Sequence, residues 1–343
     1  YIHIGNHSAH FVGKSSTENG GYPFWGDVSN TYTFKRFYCE VIEQTQISYT
    51  VNFTEETECD ILIVGGGGGG SAGHGGGGGA GQLVFIHEAI LNGSYNIKVG
   101  NGGIGGISSE VSGGRQATKG FNSSFDTIIA EAGGTNTGIT SDKNGGSGAG
   151  GDGWTSDGGT AGKGVKDSNA DTYSSGNVYS KGNDGAEQVG AIGGGGGGAG
   201  TSASGNSGGD GVSGISEISF DFKTNFGNIG ILENDGLVYL AGGGGGGGDG
   251  IGSGGKGGGS DSGNIHAFSA LQNTGGGGGG GAGGSGAGGN GGSGIVIIRY
   301  KTTKQAPEIS YPGTGGKTEL PGTAGVLALR EYRPSGQQYS ITR

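Results

Sequence analysis

Two cysteines, Cys39 and Cys59, are the only thiols in 343 residues, and both precede the first glycine run. Two thiols are too few for a metal site without further ligands, so they read as one disulfide or as two separate thiols. The disulfide is the preferred reading. It would close a loop of about 20 residues, add ~3 kcal/mol of stability and imply an oxidising, extracellular setting. The histidines at positions 3, 7, 10, 74, 87 and 266 show no metal-ligand spacing and read as surface residues. Asp152, Asp210 and Asp249 sit among glycines, but without the period of calcium-binding repeats they read as solvated turn aspartates. No serine, threonine or cysteine lies in a nucleophile elbow or triad pattern. The glycines after Ile61-Leu62-Ile63-Val64 satisfy a dinucleotide fingerprint only because a pure glycine run satisfies any glycine motif, and no helix follows. No catalytic residue, cofactor or metal ion is therefore expected, and the chain does not read as an enzyme.

Two other residue classes could carry surface chemistry. Asn6, Asn52, Asn92 and Asn122 begin N-x-Ser/Thr sequons and are candidate N-glycosylation sites. With this much Ser, Thr and Asn, chance alone gives about three to four of them. Trp25, Trp154, Tyr173 and Tyr179 are the aromatics that could stack on sugar rings; packing or interface roles are the competing reading.

The elements that must position these residues are unusual. Ninety-five residues are glycine, of which five precede Gly65 and six follow Gly294. The rest fall in runs such as Gly65–Gly70, Gly75–Gly79, Gly193–Gly198, Gly242–Gly248 and Gly275–Gly281. Glycine loses the most backbone entropy on ordering and has no side chain to bury, so an oily core cannot hold such a block. Net charge is −10, which argues against a nucleic-acid partner. The apolar runs are only about four to six residues long, far short of a membrane span. Methionine is absent, so a processed chain or a fragment is expected.

Composition divides the chain into an N-terminal β region (1–64), a glycine-rich domain (65–300), and a C-terminal linker with strands (301–343). Strands are expected over 31–34, 37–41, 47–53 and 60–64, then inside the block over 81–86, 95–99, 124–130, 215–222 and 237–241. Ile61–Val64 and Ile295–Ile298 bracket the block and should lie side by side. Strands are also expected over 325–332 and 338–342. Helical periodicity is missing throughout.

With five prolines and none in the block, collagen is excluded. What remains is a bundle of left-handed threefold helices whose backbone groups bond between neighbours, the polyglycine II arrangement. The fold class is thus mainly β with a polyglycine II bundle, short strands bracketing glycine rods, and almost no α-helix.

The order of motifs is specific. It runs from Ile61–Gly70 through Gly75-to-Val84, Ile97-to-Gly103 and Asn122-to-Phe125 to Gly291–Tyr300. It resembles the glycine-rich domain of phage tail-fibre adhesins and of surface proteins from protists, algae and giant viruses, over about residues 45–300. That resemblance implies an extracellular fold used for adhesion or for building surface structures. The leading expectation is a structural subunit of a filament or surface appendage. Its partners would be copies of itself or other subunits, joined by strand addition through the termini. The alternative is an adhesin binding a cell-surface glycan or protein through loops 136–192 and 250–274.

Overall fold

A computed structural model describes residues 34–38, 46–107, 116–137, 140–153, 159–165, 168–263, 265–301, 308–310 and 326–332. Its main element is a curled ten-stranded sheet. Two long strands, β2 (Gln46–Val64) and β3 (Leu83–Gly100), run antiparallel through the middle of it. Along the outer edge of β2 lie β12 (Ile295–Lys301) and β13 (Glu308–Ser310). Beyond β12 come β14 (Val326–Tyr332), parallel to it, and β1 (Phe34–Tyr38). Along β3 lie two hairpins, β4–β5 (Ser123–Phe125, Ile128–Ala130) and β6–β7 (Ser168–Tyr173, Gly176–Lys181). The small pairs β8–β9 (Gly214–Ile215, Phe220–Asp221) and β10–β11 (Ile231–Leu232, Val238–Tyr239) stand apart. Helix is limited to a 3-10 turn at Ser216–Ile218, α1 (Thr140–Lys143) and α2 (Phe222–Phe226) among the described residues. The chain is mainly β.

The two bracketing strands are neighbours, with Val64 opposite Ile295 and Ile61 opposite Ile298. Both are apolar because both of their faces are buried. Ile61, Ile63, Val296 and Ile298 point into one core, which the sheet's own strands enclose together with Phe125 and Val178. Leu62, Val64, Ile295 and Ile297 point into a second, built with Phe85, Phe220, Phe222 and Phe226. The first core needs no covering layer because the sheet curls over it.

The glycine runs leave this sheet and return to it. Gly65–Gly70, Gly75–Gly79, Gly193–Gly198 and Gly275–Gly281 are buried throughout and are neither strand nor α-helix. Their backbone bonds repeat every three residues. Gly65, Gly68 and Ser71 donate to Gln82, Gly79 and Gly76; Gly66 and Gly69 donate to Phe121 and Thr118; Gly67, Gly70 and Gly73 donate to Gly292, Gly289 and Gly286, all at 2.8–3.0 Å. Their carbonyls accept from three further segments. Gly66 accepts from Gly133, Gly67 and Gly70 from Gly103 and Gly106, and Gly68 and Ser71 from Gly278 and Gly281. One run is therefore bonded to six neighbours. Buried backbone groups are satisfied between segments rather than within them.

Four expectations change. The strand expected at 124–130 is the β4–β5 hairpin, which turns at Asp126-Thr127. The runs expected at 47–53 and 60–64 are one strand, β2, and those at 81–86 and 95–99 are one strand, β3. The strand expected at 215–222 is instead two short strands, a 3-10 turn and α2. Asp221 caps α2, its side chain accepting from the Thr224 N–H at 2.6 Å, and Phe222 and Phe226 fall on one buried face four residues apart. Finally, part of the stretch 136–192, expected as a loop, is the β6–β7 hairpin.

Candidate functional site

A recess of about 220 Å³ opens where β2, β3 and β12 meet, lined by Glu58, Cys59, Asp60, His87, Glu88, Arg299 and Tyr300. Asp60 and Arg299 are register partners on β2 and β12, each one residue beyond the apolar bracket. His87 reaches them through a bulge. Cys59 pairs with Ala89 and Ile61 with Ile86, so His87 and Glu88 both stand opposite Asp60. Glu88 absorbs the extra residue with a φ of 59°. Bulges of this kind re-aim a side chain. Here the imidazole is aimed at the Asp60 carboxylate, with Nδ1 to Oδ1 at 2.7 Å. The same oxygen accepts the Glu88 N–H at 3.1 Å.

Arg299 completes the cluster. Its Nη1 lies 3.6 Å from Asp60 Oδ2 and donates to Asn225 Oδ1 at 2.6 Å. Its guanidinium sits over the Phe220 ring at 5.2 Å, tying the sheet to the segment around α2. His87 stacks on Phe85 and meets Phe220 edge-on. The hydrogen bond to Asp60 raises the His87 pKa, against the opposing effect of burial. Burial first, then the nearby Asp60 and Glu58 charges, push the Cys59 thiol far up.

A histidine oriented by a carboxylate can serve as a general base when a nucleophile sits at its other nitrogen. At 3.6 Å from His87 Nε2 lies Glu88 Oε1, a carboxylate. Cys59 remains a thiol and donates weakly to the Thr57 carbonyl at 3.5 Å. The arrangement joins three strands through one half-buried, pH-sensitive ionic cluster.

The residues singled out by sequence do not converge. Cys59 is a free buried thiol, where a bridge to Cys39 was the preferred reading; Cys39 lies outside the described residues, as do Asn6, Trp25 and Trp154. Asn52 is half-buried and accepts from Ser94 Oγ at 2.9 Å. Asn92 is exposed beside Gly93, and Asn122 is exposed but accepts the Ala132 N–H at 2.8 Å. Tyr179 is buried against Phe85 in the second core. Tyr173 packs edge-on to Phe125 at the first core, its hydroxyl 2.8 Å from Asp126 Oδ2. The sheet separates these two tyrosines.

The aspartates need a correction. Asp249 is exposed, as expected, but Asp152 and Asp210 are half-buried and terminate the glycine array. Asp152 Oδ1 accepts the Gly76 N–H at 2.7 Å, where the neighbouring run offers no carbonyl, and Asp210 Oδ1 accepts the Lys256 N–H at 3.0 Å. Burial raises the Asp152 pKa to about 6. Sequence reasoning missed both roles, and it missed the Asp60–His87–Arg299 cluster, whose members are too far apart for a local motif. One signal was available: Asp60 and Arg299 flank the two apolar brackets in mirrored positions.

A family model described as a glycine-rich domain matches residues 44–301. No curated protein matches the chain. The match runs from the start of β2 to the end of β12, leaving β1, β13 and β14 outside it. The motif order, the bracketing strands and the extent of this match place the chain in the glycine-rich domain family.

Proposed function

We propose that the chain is a structural subunit of an extracellular filament or surface appendage, with its glycine runs forming a bundle of polyglycine II helices. The threefold repeat of backbone bonds and the six neighbours around Gly65–Gly70 support the helix assignment. Such a bundle is a stiff body with few reactive side chains, suited to bearing load rather than turning over substrate. The extracellular setting draws support from the family resemblance, and the exposed Asn92 sequon is compatible with it.

The observation that carries the assembly reading is at the sheet edge. The matched domain ends with β12, and its outer edge is covered by β14 and β1, strands from outside that domain. An edge completed by an appended strand can be completed equally by another copy's strand. Head-to-tail contacts of that type propagate into a filament. Electron microscopy and light scattering of the purified chain test this. Linear polymers are expected, and a monomer at every concentration would overturn it.

An adhesin is the second reading. Val189, Ile251, Ile265 and Phe268 are 54–68% exposed in turns between the glycine runs. Apolar side chains on otherwise polar turns are what a receptor-binding tip would present. A glycan array and a cell-binding assay separate the readings, since only the adhesin requires a monomeric chain to bind.

A further inference from the structure

We propose that the outer segment 265–273 of the glycine array pairs with the same segment of a second copy, across a two-fold axis at Phe268. The strength of this contact rests on the filament reading; its place rests on the geometry of the segment. Backbone bonds here repeat every three residues. The Ala267 and Ala270 N–H groups donate to Ala287 and Asn290, and the Phe268 and Leu271 N–H groups donate to Asp261 and Gly258. The Ile265 and Phe268 carbonyls accept from Ala282 and Gly279. A backbone with that period sets residues i, i+3 and i+6 along one edge. The sequence Ile-His-Ala, Phe-Ser-Ala, Leu-Gln-Asn therefore presents three edges.

Two of those edges are committed to the array. His266 Nδ1, Ser269 Oγ and Gln272 Oε1 accept the N–H groups of Ala287, Asn290 and Ser293 at 3.1–3.2 Å. Ala267, Ala270 and Asn273 form the inward edge, and the last two are buried. The third edge faces out: Ile265 and Phe268 are 61% and 65% exposed, and Leu271 is half-buried. Glycine segments join the array by close approach of bare backbone. Three large side chains keep a further glycine segment from bonding along this edge, so it is where the array stops.

The pattern of the edge selects its occupant. It reads aliphatic, aromatic, aliphatic at equal steps of about 9 Å. It is thus its own complement: a two-fold axis at Phe268 lays that ring on its twin, and Ile265 on the second copy's Leu271. The edge carries no charge, so two copies of a chain of net charge −10 meet here without setting like charges face to face. Asp261, on the adjoining segment, is held by the Gly254 N–H at 2.7 Å. Three side chains from each copy bury far less than the ~800 Å² per partner of a standard interface. Pairing therefore becomes strong where many copies are already aligned, as in a filament.

Cross-linking of the full chain tests the axis. Under mild oxidation, Phe268→Cys should give roughly tenfold more disulfide-linked dimer than the native chain. Ile265→Cys alone should give no more than the native chain. Its twin lies about 19 Å away along the edge, beyond the ~7 Å Cα reach of a disulfide. Ile265→Cys mixed with Leu271→Cys should cross-link. Equal yields from Phe268→Cys and Ile265→Cys, or none from Phe268→Cys, would overturn the pairing. Electron micrographs separate this from the filament reading. Native filaments should be paired and Phe268→Asp filaments single, since a substitution at so exposed a site leaves the fold in place. Filaments that stay paired in Phe268→Asp keep the filament reading and overturn the pairing. If the native chain forms no polymer, the filament reading falls, and the cross-link pattern alone decides the pairing.

Discussion

At Gly67 one added carbon atom has nowhere to go. A Cβ there would lie 1.9 Å from the Gly276 carbonyl oxygen, a backbone atom held on both sides by its own bonds. Gly67→Ala should therefore prise two rods apart, costing more than ~3 kcal/mol. Gly250 offers the contrast, because its Cβ would meet nothing nearer than Asn206 Nδ2 at 3.8 Å. Gly250→Ala should stabilise by about 0.4–1 kcal/mol by restricting the unfolded chain. Denaturant titrations of the pair measure both signs. Asp152 gives a pH-dependent counterpart. Its folded pKa, about 6, is above the ordinary 3.8, so the protonated form suits the array. That contribution is fully present below pH 3.8 and is lost as pH rises through 6. Asp152→Asn keeps the acceptor for Gly76 and removes the buried charge. It should stabilise by about 2–3 kcal/mol at pH 8 and by nothing below pH 4, as melting curves at the two pH values will show. His87 acts in the same sense, since its pKa is also raised. Its share is present below the ordinary 6.5 and fades as pH rises past the folded value. Asp60→Asn keeps an acceptor oxygen but removes the charge that faces His87 and Arg299, and should cost about 1–2 kcal/mol, read as a fall in the denaturation midpoint.

At the scale of elements, the β6–β7 turn is the clearest weak point. Ser174 and Ser175 form a two-residue turn between Tyr173 and Gly176, both with positive φ (44° and 70°). Asn-Gly is the pair that this backbone favours. Replacing Ser174-Ser175 by Asn-Gly should raise stability by about 1 kcal/mol, measured as an upward shift in Tm. The same turn explains why the hairpin was illegible, since Ser-Ser carries no turn signature and the flanking strand alternates poorly. The bracket strands were legible because four consecutive β-branched or aliphatic residues need burial on both faces. α2 was not, because five residues give too short a window for a helical period. Its Asp221 cap and the Phe222/Phe226 spacing were the only cues. The Asp60–His87–Arg299 cluster needed both the bulge and the β2–β12 register, neither of which a linear reading supplies.

For the whole molecule, glycine content foretold burial without side chains, and proline scarcity excluded collagen. Which segment neighbours which could not be read, because glycine runs are interchangeable as sequence. The array is specified instead by the strands and side-chain caps at its ends. The backbone bonding described for Gly65–Ser71 also bears on temperature. Exposing apolar surface raises the heat capacity of unfolding, and exposing peptide groups lowers it. A fold that buries mostly peptide should show a heat-capacity increment well below the usual ~12–15 cal/mol/K per residue. Its stability would then decline gently on both cooling and heating, so the folded state persists across a wide range of temperatures. Scanning calorimetry would read this directly, as a shallow baseline step beneath the melting peak.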